Sequence, residues 1–406
     1  MPANFLKIKK SRYFIEFCFK YLAMSCNLFA LVMLFFLLYS VFSKGYTAFY
    51  THYININLTK EEVLIIKNNS EDYFLINQIL NKSIKNKTKL SVNIEEIIGA
   101  FETNKIGILV FKKDIDNSID LKLIVSSDVD MYLKGNSSGD LLSRKTFEDV
   151  NVLKENNLIF TKINMSFFSN PDSRFAEESG IKSALIGSLY TVLLTAFFSI
   201  LLSIGTAIYL EEFVSKKSKI VNIIDVNISN LASIPSIIFG LLGLMVFQNF
   251  FGVPRSTPLL ASLVLSLMAL PTMIITTRIA LNNVPYAIKE AAYGVGSSKL
   301  QVILHHLLPA SMPGILTGVI ISISRIFGES APLLMIGMMS FINSTPNSII
   351  DNAVVLPMQI LLWFDNPELG YVERSAGTII ILLFILLSIN IVATISRNYF
   401  EKKYKQ

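Results

Sequence analysis

Long apolar runs separated by polar stretches dominate the pattern of this chain. A run of about twenty apolar residues is long enough to cross a membrane as a helix. We count six such runs, at 22–42, 181–209, 222–247, 258–282, 313–340 and 375–397. The first run is too long and too far from the start for a cleaved signal, so we expect a retained anchor. The pattern predicts an all-α polytopic membrane protein with six transmembrane helices.

A polar insertion at residues 45–178 separates the first two apolar runs. It is too long for a simple connection. Residues 72–84 have the apolar spacing of a helix, and three short segments have the β-branched or alternating pattern of strands: 106–111, 121–125 and 129–133. We therefore predict a small α+β domain outside the membrane. The chain divides into three parts: an N-terminus and anchor at 1–44, the insertion at 45–178, and a transmembrane domain at 179–406.

Composition and charge agree with this organisation. Hydrophobic residues make up 52% of the chain and charged residues only 16%, against about a quarter in soluble domains. Lysines and arginines cluster before the first run, between the second and third, and after the last, whereas the opposite short loops carry only Arg255 and Arg374. The positive-inside rule then places both termini in the cytoplasm. These basic flanks also explain the pI near 9.0, so no nucleic-acid partner is predicted.

The loop at 283–309, between the fourth and fifth runs, carries a motif. Its sequence from residue 290 is EAAYGVGSSKLQVILHHLLP. Ala291 and Ala292 allow close approach of another chain, and Gly296 predicts a cramped turn with a positive φ. Pro309 is expected to stop the second helix after Leu308. Starting at Glu290, the pattern resembles the EAA loop of ABC importer permeases, a helix-turn-helix that docks on a separate ATPase, although His306 stands where that family usually has a branched apolar residue. An ordinary amphipathic connector is the alternative.

Two ionisable residues lie inside the predicted fifth span. Arg325 is thirteen residues from the start of that run, about 20 Å deep, and Glu329 follows one helical turn later. Each costs about 2.5–3.5 kcal/mol at membrane depth, so both should face protein or a water-filled path. A structural Arg–Glu tie between helices is the alternative. Arg278, near the cytoplasmic end of the fourth span, is a third candidate, or else a basic residue that reaches the membrane interface.

Four motifs occur in one order: NLASIPSIIFGLLGL at 230–244, the EAA-type loop, RIFGESAPLL at 325–334, and LPMQILLWFDNP at 356–367. Together they resemble the A-type permease of the Pst phosphate ABC importer, over about residues 165–400. The resemblance implies a type I permease core of five helices plus the anchor, in the bacterial inner membrane. It implies as partners a second, C-type permease, a dimer of ATP-binding subunits and an extracytoplasmic phosphate-binding protein.

The chemistry expected of the chain is transport and not catalysis. It contains no GxxxxGK[ST] loop, so ATP hydrolysis must come from a partner. We expect no cofactor and no metal site. Arg325 is predicted to contact inorganic phosphate on the path, with Glu329 as a gating partner. The alternatives are another oxyanion such as sulfate or molybdate, a membrane sensor with an outer ligand domain, and a membrane-embedded enzyme.

Overall fold

The computed structural model describes residues 2–68, 72–88, 94–99, 106, 119–139, 142–215 and 219–404. Within these ranges, five helical segments are long and apolar enough to cross a membrane: Glu16–Phe49, Lys182–Phe213, Pro258–Asn282, Lys299–Phe327 and Leu369–Lys403. A bent pair of helices, Lys219–Ser233 and Ser236–Gln248, would supply a sixth crossing. The predicted class, an α-helical membrane protein with a small sheet-containing insertion, is confirmed.

The outer unit is built on a three-stranded antiparallel sheet. Strand β1 (Tyr50–Leu58) lies between β2 (Ile119–Ile124) and β3 (Ile159–Ile163). Alternate residues of β1, beginning at Ile54, point into an apolar core because successive side chains of a strand face opposite ways. Among the described residues of the outer unit, six helices accompany the sheet: α2 (Lys60–Asn68), α3 (Tyr73–Thr88), α4 (Ile94–Ile97), α5 (Ser127–Leu133), α6 (Arg144–Glu155) and α7 (Met165–Ser169).

The local predictions for this unit had mixed outcomes. The helix expected at 72–84 and the strand at 121–125 are confirmed by α3 and β2. The strand expected at 129–133 is wrong, because this segment is the helix α5. Its alternation came from Asp130, which is buried and held by His52 and Lys134 instead of facing solvent. Of the strand expected at 106–111, residues 107–111 lie outside the described part of the chain.

The membrane bundle starts with the long anchor α1 (Pro2–Gly45), followed by α8 (Lys182–Ile208). Next come the bent pair α9 (Lys219–Ser233) and α10 (Ser236–Gly243), then α11 (Pro258–Asn282). The loop at 283–309 contains α12 (Tyr286–Gly294) and α13 (Lys299–Gln301). The remaining helices are α14 (Leu308–Phe327), α15 (Ala331–Met335), α16 (Leu356–Phe364) and α17 (Leu369–Tyr404). Three π-helical turns extend these helices: Tyr209–Phe213, Leu244–Gln248 and Val302–Leu307.

Helix α11 is the centre of the bundle and packs against α8 and α14. Gly318 and Gly314 of α14 meet Thr276 and Ala280 of α11 so closely that neither glycine has room for a Cβ atom. Small residues permit this approach, as is common where helices pack in lipid. The pairing also fixes the antiparallel register of α11 and α14.

Two predicted spans are broken. The run at 222–247 is not one helix: α9 and α10 meet at Pro235 with a bend of 104°, larger than a proline kink within a span. The run predicted at 313–340 ends as a helix at Phe327, and α15 starts anew after Gly328. Gly240 of α10 packs directly on Pro332 of α15, so the two interrupted segments support each other.

Buried charges join the outer unit to the start of α17. The Lys134 side chain is only 1% exposed, and its Nζ lies 2.6 Å from Asp130 and 3.1 Å from Glu373. Burial raises the pKa of Asp130, but hydrogen bonds and charge from His52 and Lys134 outweigh this, so the pKa lies below its ordinary value. Nearby, Arg374 donates a hydrogen bond to the Ser179 carbonyl at 2.7 Å. The first turns of α17 therefore belong to the outer unit as much as to the bundle.

Candidate functional site

The 283–309 loop forms the predicted helix-turn-helix. Helix α12 ends at Gly294, and Ser298 starts α13 with a capping box in which Ser298 and Gln301 cap each other's backbone N–H groups. Gly296 lies in the turn between them with φ +84°, which confirms the expected positive φ. The turn is not cramped, however, since no atom lies within 4 Å of a Cβ added there. A glycine is favoured at position 296 by its positive φ and not by a lack of room for a side chain.

The second helix of the loop does not stop at Pro309, contrary to the prediction. Lys299–Phe327 is one helical segment that contains both Leu308 and Pro309. The π-helical turn Val302–Leu307 ends two residues before Pro309, so Pro309 lies in the first turn of α14. Proline has no backbone N–H, and in a first turn this N–H would have no α-helical partner, so no hydrogen bond is lost. The loop is thus continuous with a membrane helix.

The loop is attached to the end of α8 by two cation contacts. Lys289 Nζ lies 2.5 Å from Glu212 Oε1, and Lys299 Nζ lies 4.8 Å from the centre of the Phe213 ring. Beneath them is a small apolar cluster: Ala207, Leu281, Val284, Ile303 and Leu307. Sequence reasoning missed Glu212 and Phe213, because only the fold brings the end of α8 to this loop.

The other side of the loop is open. Glu290 and Ala291 are exposed, whereas Ala292 is buried. Large apolar side chains are exposed beside them: Tyr286, Tyr293, Val295, Leu300 and Leu304. An exposed apolar cluster rimmed by polar residues is typical of a surface that binds another protein. The arrangement is suited to docking by a partner chain.

Arg325 lies in the last turn of α14 and not halfway along a longer helix. Arg325 is seven residues beyond Gly318, and Gly318 packs against Thr276 of α11. Because α14 and α11 are antiparallel, Arg325 is level with a residue about seven positions before Thr276, which is Ala269. That position is roughly 17 Å from the Pro258 end of α11 and roughly 20 Å from the opposite end. Arg325 is therefore level with about the middle of α11, near mid-depth of the bundle.

Glu329 follows the end of α14 and remains beside Arg325. Nε of Arg325 lies 3.5 Å from Oε1 of Glu329, and the two side chains are 55% and 20% exposed. The neighbouring Ser324 donates a hydrogen bond of 2.6 Å to Asn390 of α17. Asn390 was missed, although an asparagine within the apolar run LLSINIVATI is itself a signal of an intramembrane polar contact.

Arg278 is separate from this pair. Arg278 is two residues beyond Thr276, so it is level with about residue 316 of the antiparallel helix α14. Residue 316 is roughly 13 Å from Arg325 along the axis of α14. Its Nε donates to Glu211 at 2.7 Å, and its terminal nitrogens donate to both carboxylate oxygens of Asp225. Two carboxylates thus surround the guanidinium and link α8, α9 and α11. Its place on a substrate path stays a prediction.

A cavity of about 510 Å³ lies at the end of the bundle that faces the outer unit. Arg174, Phe341 and Asn343 line it, and Asp172 forms part of its wall. Gln359 and Trp363 donate hydrogen bonds to the Asp172 carboxylate at 3.0 and 2.9 Å. Burial raises the pKa of Asp172, with these bonds opposing the shift. The carboxylate is held by the fold, and sequence reasoning had not singled out this cavity.

Comparison with known families identifies the chain. The family described as "Binding-protein-dependent transport system inner membrane component" matches residues 199–406, just over half of the chain. This chain belongs to that family. It is therefore a multi-pass membrane subunit of an ABC importer and not an enzyme, and the family expected from the motifs is confirmed. A second family, "Domain of unknown function (DUF3333)", matches residues 7–142, which cover the anchor and most of the outer unit.

Individual relatives agree with the family. The phosphate transport system permease protein PstA of Yersinia pestis is 32% identical over 55% of this chain and 73% of its own length. PstA of Mycobacterium leprae is 32% identical over 52% and 68%. The probable ABC transporter permease protein YqgI of Bacillus subtilis is 32% identical over 43% and 58%, so the match spans little more than half of that relative.

Among solved structures, the inward-facing MetNI methionine ABC transporter matches 55% of this chain and 97% of its own, with 16% identity and a TM-score of 0.42. A similarity of that size does not bear on function or conformation.

Proposed function

We propose that this chain is a permease subunit of an ATP-driven importer of inorganic phosphate. In this proposal it forms half of the translocation path and receives the energy of ATP hydrolysis through the 283–309 loop. One observation carries the proposal: Arg325 is 55% exposed on the isolated chain at mid-depth of an apolar bundle.

An exposed arginine at this depth cannot face lipid without a cost of about 2.5–3.5 kcal/mol, so protein or water must cover its side of the bundle. A second permease opposite this face would enclose a polar path lined by Arg325. The guanidinium is always charged, and its forked N–H groups match a tetrahedral oxyanion. The relatives named as phosphate permeases support phosphate as that oxyanion.

Glu329 is suited to be the partner of Arg325 when the site is empty. Their single contact of 3.5 Å is long for a charge-assisted hydrogen bond, and a guanidinium has five N–H donors. An arriving anion can therefore engage Arg325 without first breaking a tight ion pair. Glu329 would then repel a dianion until it moves, which is the behaviour expected of a gate.

The continuous helix offers a direct mechanical link between the loop and this pair. Lys299 begins the segment that docks, and Arg325 lies 26 residues further along the same helical segment, about 39 Å away. When the ATPase dimer closes and pushes the loop, the segment would move as one rod. The Lys289–Glu212 contact would pass part of that movement to α8.

The partners expected are those of the family architecture: a C-type permease, two ATP-binding subunits and a phosphate-binding protein on the outer side. In this arrangement both termini and the 283–309 loop face the cytoplasm, and the outer unit lies on the opposite side in contact with the binding protein's compartment.

The test is uptake of radiolabelled phosphate by the complete transporter reconstituted in vesicles. We expect uptake that requires ATP and the binding protein, and that excess sulfate or molybdate does not suppress. Uptake of sulfate or molybdate in preference to phosphate would reject the proposed substrate while keeping the permease role. ATP-independent uptake would reject the coupling mechanism.

A further inference from the structure

Four apolar side chains are exposed where the outer unit meets the bundle. Tyr46, Ile163, Met165 and Phe168 are 55%, 70%, 68% and 41% exposed, respectively. We call them the membrane-side patch. They belong to the turn after α1, which holds Tyr46, and to the end of β3 and the helix α7, which follow one another along the chain. No prediction from the sequence used them, and the proposed transport path does not include them.

The strand register places the patch at the membrane surface. The first membrane-length segment ends at Phe49, and β1 rises from Tyr50 directly after it. Strand β3 is antiparallel to β1, and its last residue, Ile163, pairs with Tyr50. Strand β3 therefore descends to the level at which the first segment leaves the membrane. Helix α7 follows at once and packs against α8.

The patch is continuous with the exposed apolar surface of the first membrane segment. The most apolar part of the first membrane segment has no buried residue, and Phe42 is exposed one turn before Tyr46. Helix α8, against which α7 packs, has an exposed apolar row further along its length: Leu189, Leu193 and Phe197. Exposed Lys44 lies two residues before Tyr46 of the patch. An aromatic side chain with a nearby lysine at the end of a membrane segment is typical of the headgroup level of a membrane.

The side chains beneath the patch are closely packed. Phe168 stacks on Phe49 with 6.0 Å between ring centres, and Phe167 is fully buried against Trp363 and Phe49. Asn164 caps α7 by accepting a hydrogen bond from the Phe167 backbone N–H at 3.1 Å. The exposed side chains are thus held outward by packed neighbours.

We propose that the membrane-side patch inserts into the headgroup region of the adjacent lipid leaflet, so that the outer unit rests on the membrane. The occupant is lipid and not a partner protein, because the patch directly continues the surface of the first membrane segment, whose most apolar part has no buried residue. Interfacial helices of this kind lie about 5–10 Å into the boundary between headgroups and acyl chains. The inference is independent of the transported substrate.

The experiment measures the depth of nitroxide labels on the full chain in vesicles that contain anionic lipid. Single cysteines replace Ile163 or Met165 after Cys18→Ser and Cys26→Ser, two changes on the exposed surface of the anchor. Asn57→Cys, exposed at the far end of β1, is the matched water-facing control, and Phe197→Cys is the lipid-facing control. Collision rates are compared for oxygen, which concentrates in lipid, and for a water-soluble nickel chelate.

We expect the ratio of oxygen to nickel collisions at Ile163→Cys and Met165→Cys to lie between the ratios of the two controls. Ratios equal to that of Asn57→Cys would show that the patch faces water and would overturn the proposal. Low collision rates with both reagents, in the chain alone or in the complete transporter, would show that protein covers the patch, and would overturn it as well.

Discussion

The turn of the 283–309 loop gives the sharpest test of the docking role. Gly296 has φ +84°, and a residue with a Cβ in this left-handed region costs about 1–2 kcal/mol. Gly296→Val should therefore reduce the population of the observed turn conformation roughly 5–30-fold relative to other conformations of the loop. If this turn presents the exposed apolar surface to the ATPase subunit, the affinity for that subunit should fall by a similar factor.

The same loop provides a matched control. Gly294 is the last residue of α12, its φ is not positive, and no atom lies within 4 Å of a Cβ added there. Gly294→Val adds the same side chain two residues away without the left-handed strain. Gly296→Asn is a second control, since asparagine tolerates the left-handed region better than valine.

The assay is titration of the purified permease with the ATPase subunit, with membrane abundance measured in parallel. We expect weakened binding for Gly296→Val, near-normal binding for Gly294→Val, intermediate or normal binding for Gly296→Asn, and equal abundance for all three. Equal affinity of the two valine variants would refute the reasoning, because the turn would then not determine docking.

Three further predictions follow from the orientation and from the buried charges. In a cysteine-free background, Val295→Cys should react with an impermeant thiol reagent only from the cytoplasmic side and Lys145→Cys only from outside; reversed sidedness would invert the topology. Lys134→Met should leave Glu373 buried without its lysine partner and Asp130 held by His52 alone, at a cost of about 3–5 kcal/mol, and so accelerate hydrogen exchange in α5. Unchanged exchange would show that Lys134 does not hold the outer unit to α17. The pKa of Asp130 is lower in the folded protein than in the unfolded chain, so the ionised Asp130 stabilises the fold. This stabilisation should be complete above the unfolded pKa of about 3.9 and should be lost only as the pH falls through the folded pKa. Faster hydrogen exchange in α5 between about pH 7 and pH 5 would contradict this assignment.

Hydropathy located the membrane helices well because burial in lipid depends mainly on composition over about twenty residues. It did not locate the breaks, since a window average cannot register the backbone turn at Pro235 or the restart after Gly328. The local motif of the 283–309 loop predicted the positive φ of Gly296 because the conformation of a turn depends mainly on neighbouring residues. It failed at Pro309, where a preceding π-helical turn changes the hydrogen-bond register.

Contacts between distant residues were beyond sequence reasoning. Arg278 is bound by Glu211 and Asp225, which are 67 and 53 positions away, and Lys134 meets Glu373 across 239 positions. Nothing in the local sequence states such pairings. The pair Arg325 and Glu329 could be found because the two residues are only four positions apart and because charged residues stand out within an apolar run.

The central claim is that Arg325 contacts the transported anion. Arg325→Ala alone would leave Glu329 at membrane depth without its partner, so the double change Arg325→Ala with Glu329→Ala separates a structural role from a transport role. Arg325→Lys keeps the charge and loses the forked geometry, and should retain part of the activity. Arg397→Ala, at the end of α17, is the control for loss of an arginine elsewhere.

The decisive measurement is ATP-dependent phosphate uptake by the reconstituted transporter, normalised to the amount of permease in the membrane. We predict that the double variant is as abundant as the parent and transports almost no phosphate, while Arg397→Ala transports normally. Near-normal uptake by the double variant would contradict the account and leave Arg325 and Glu329 as a tie within the fold.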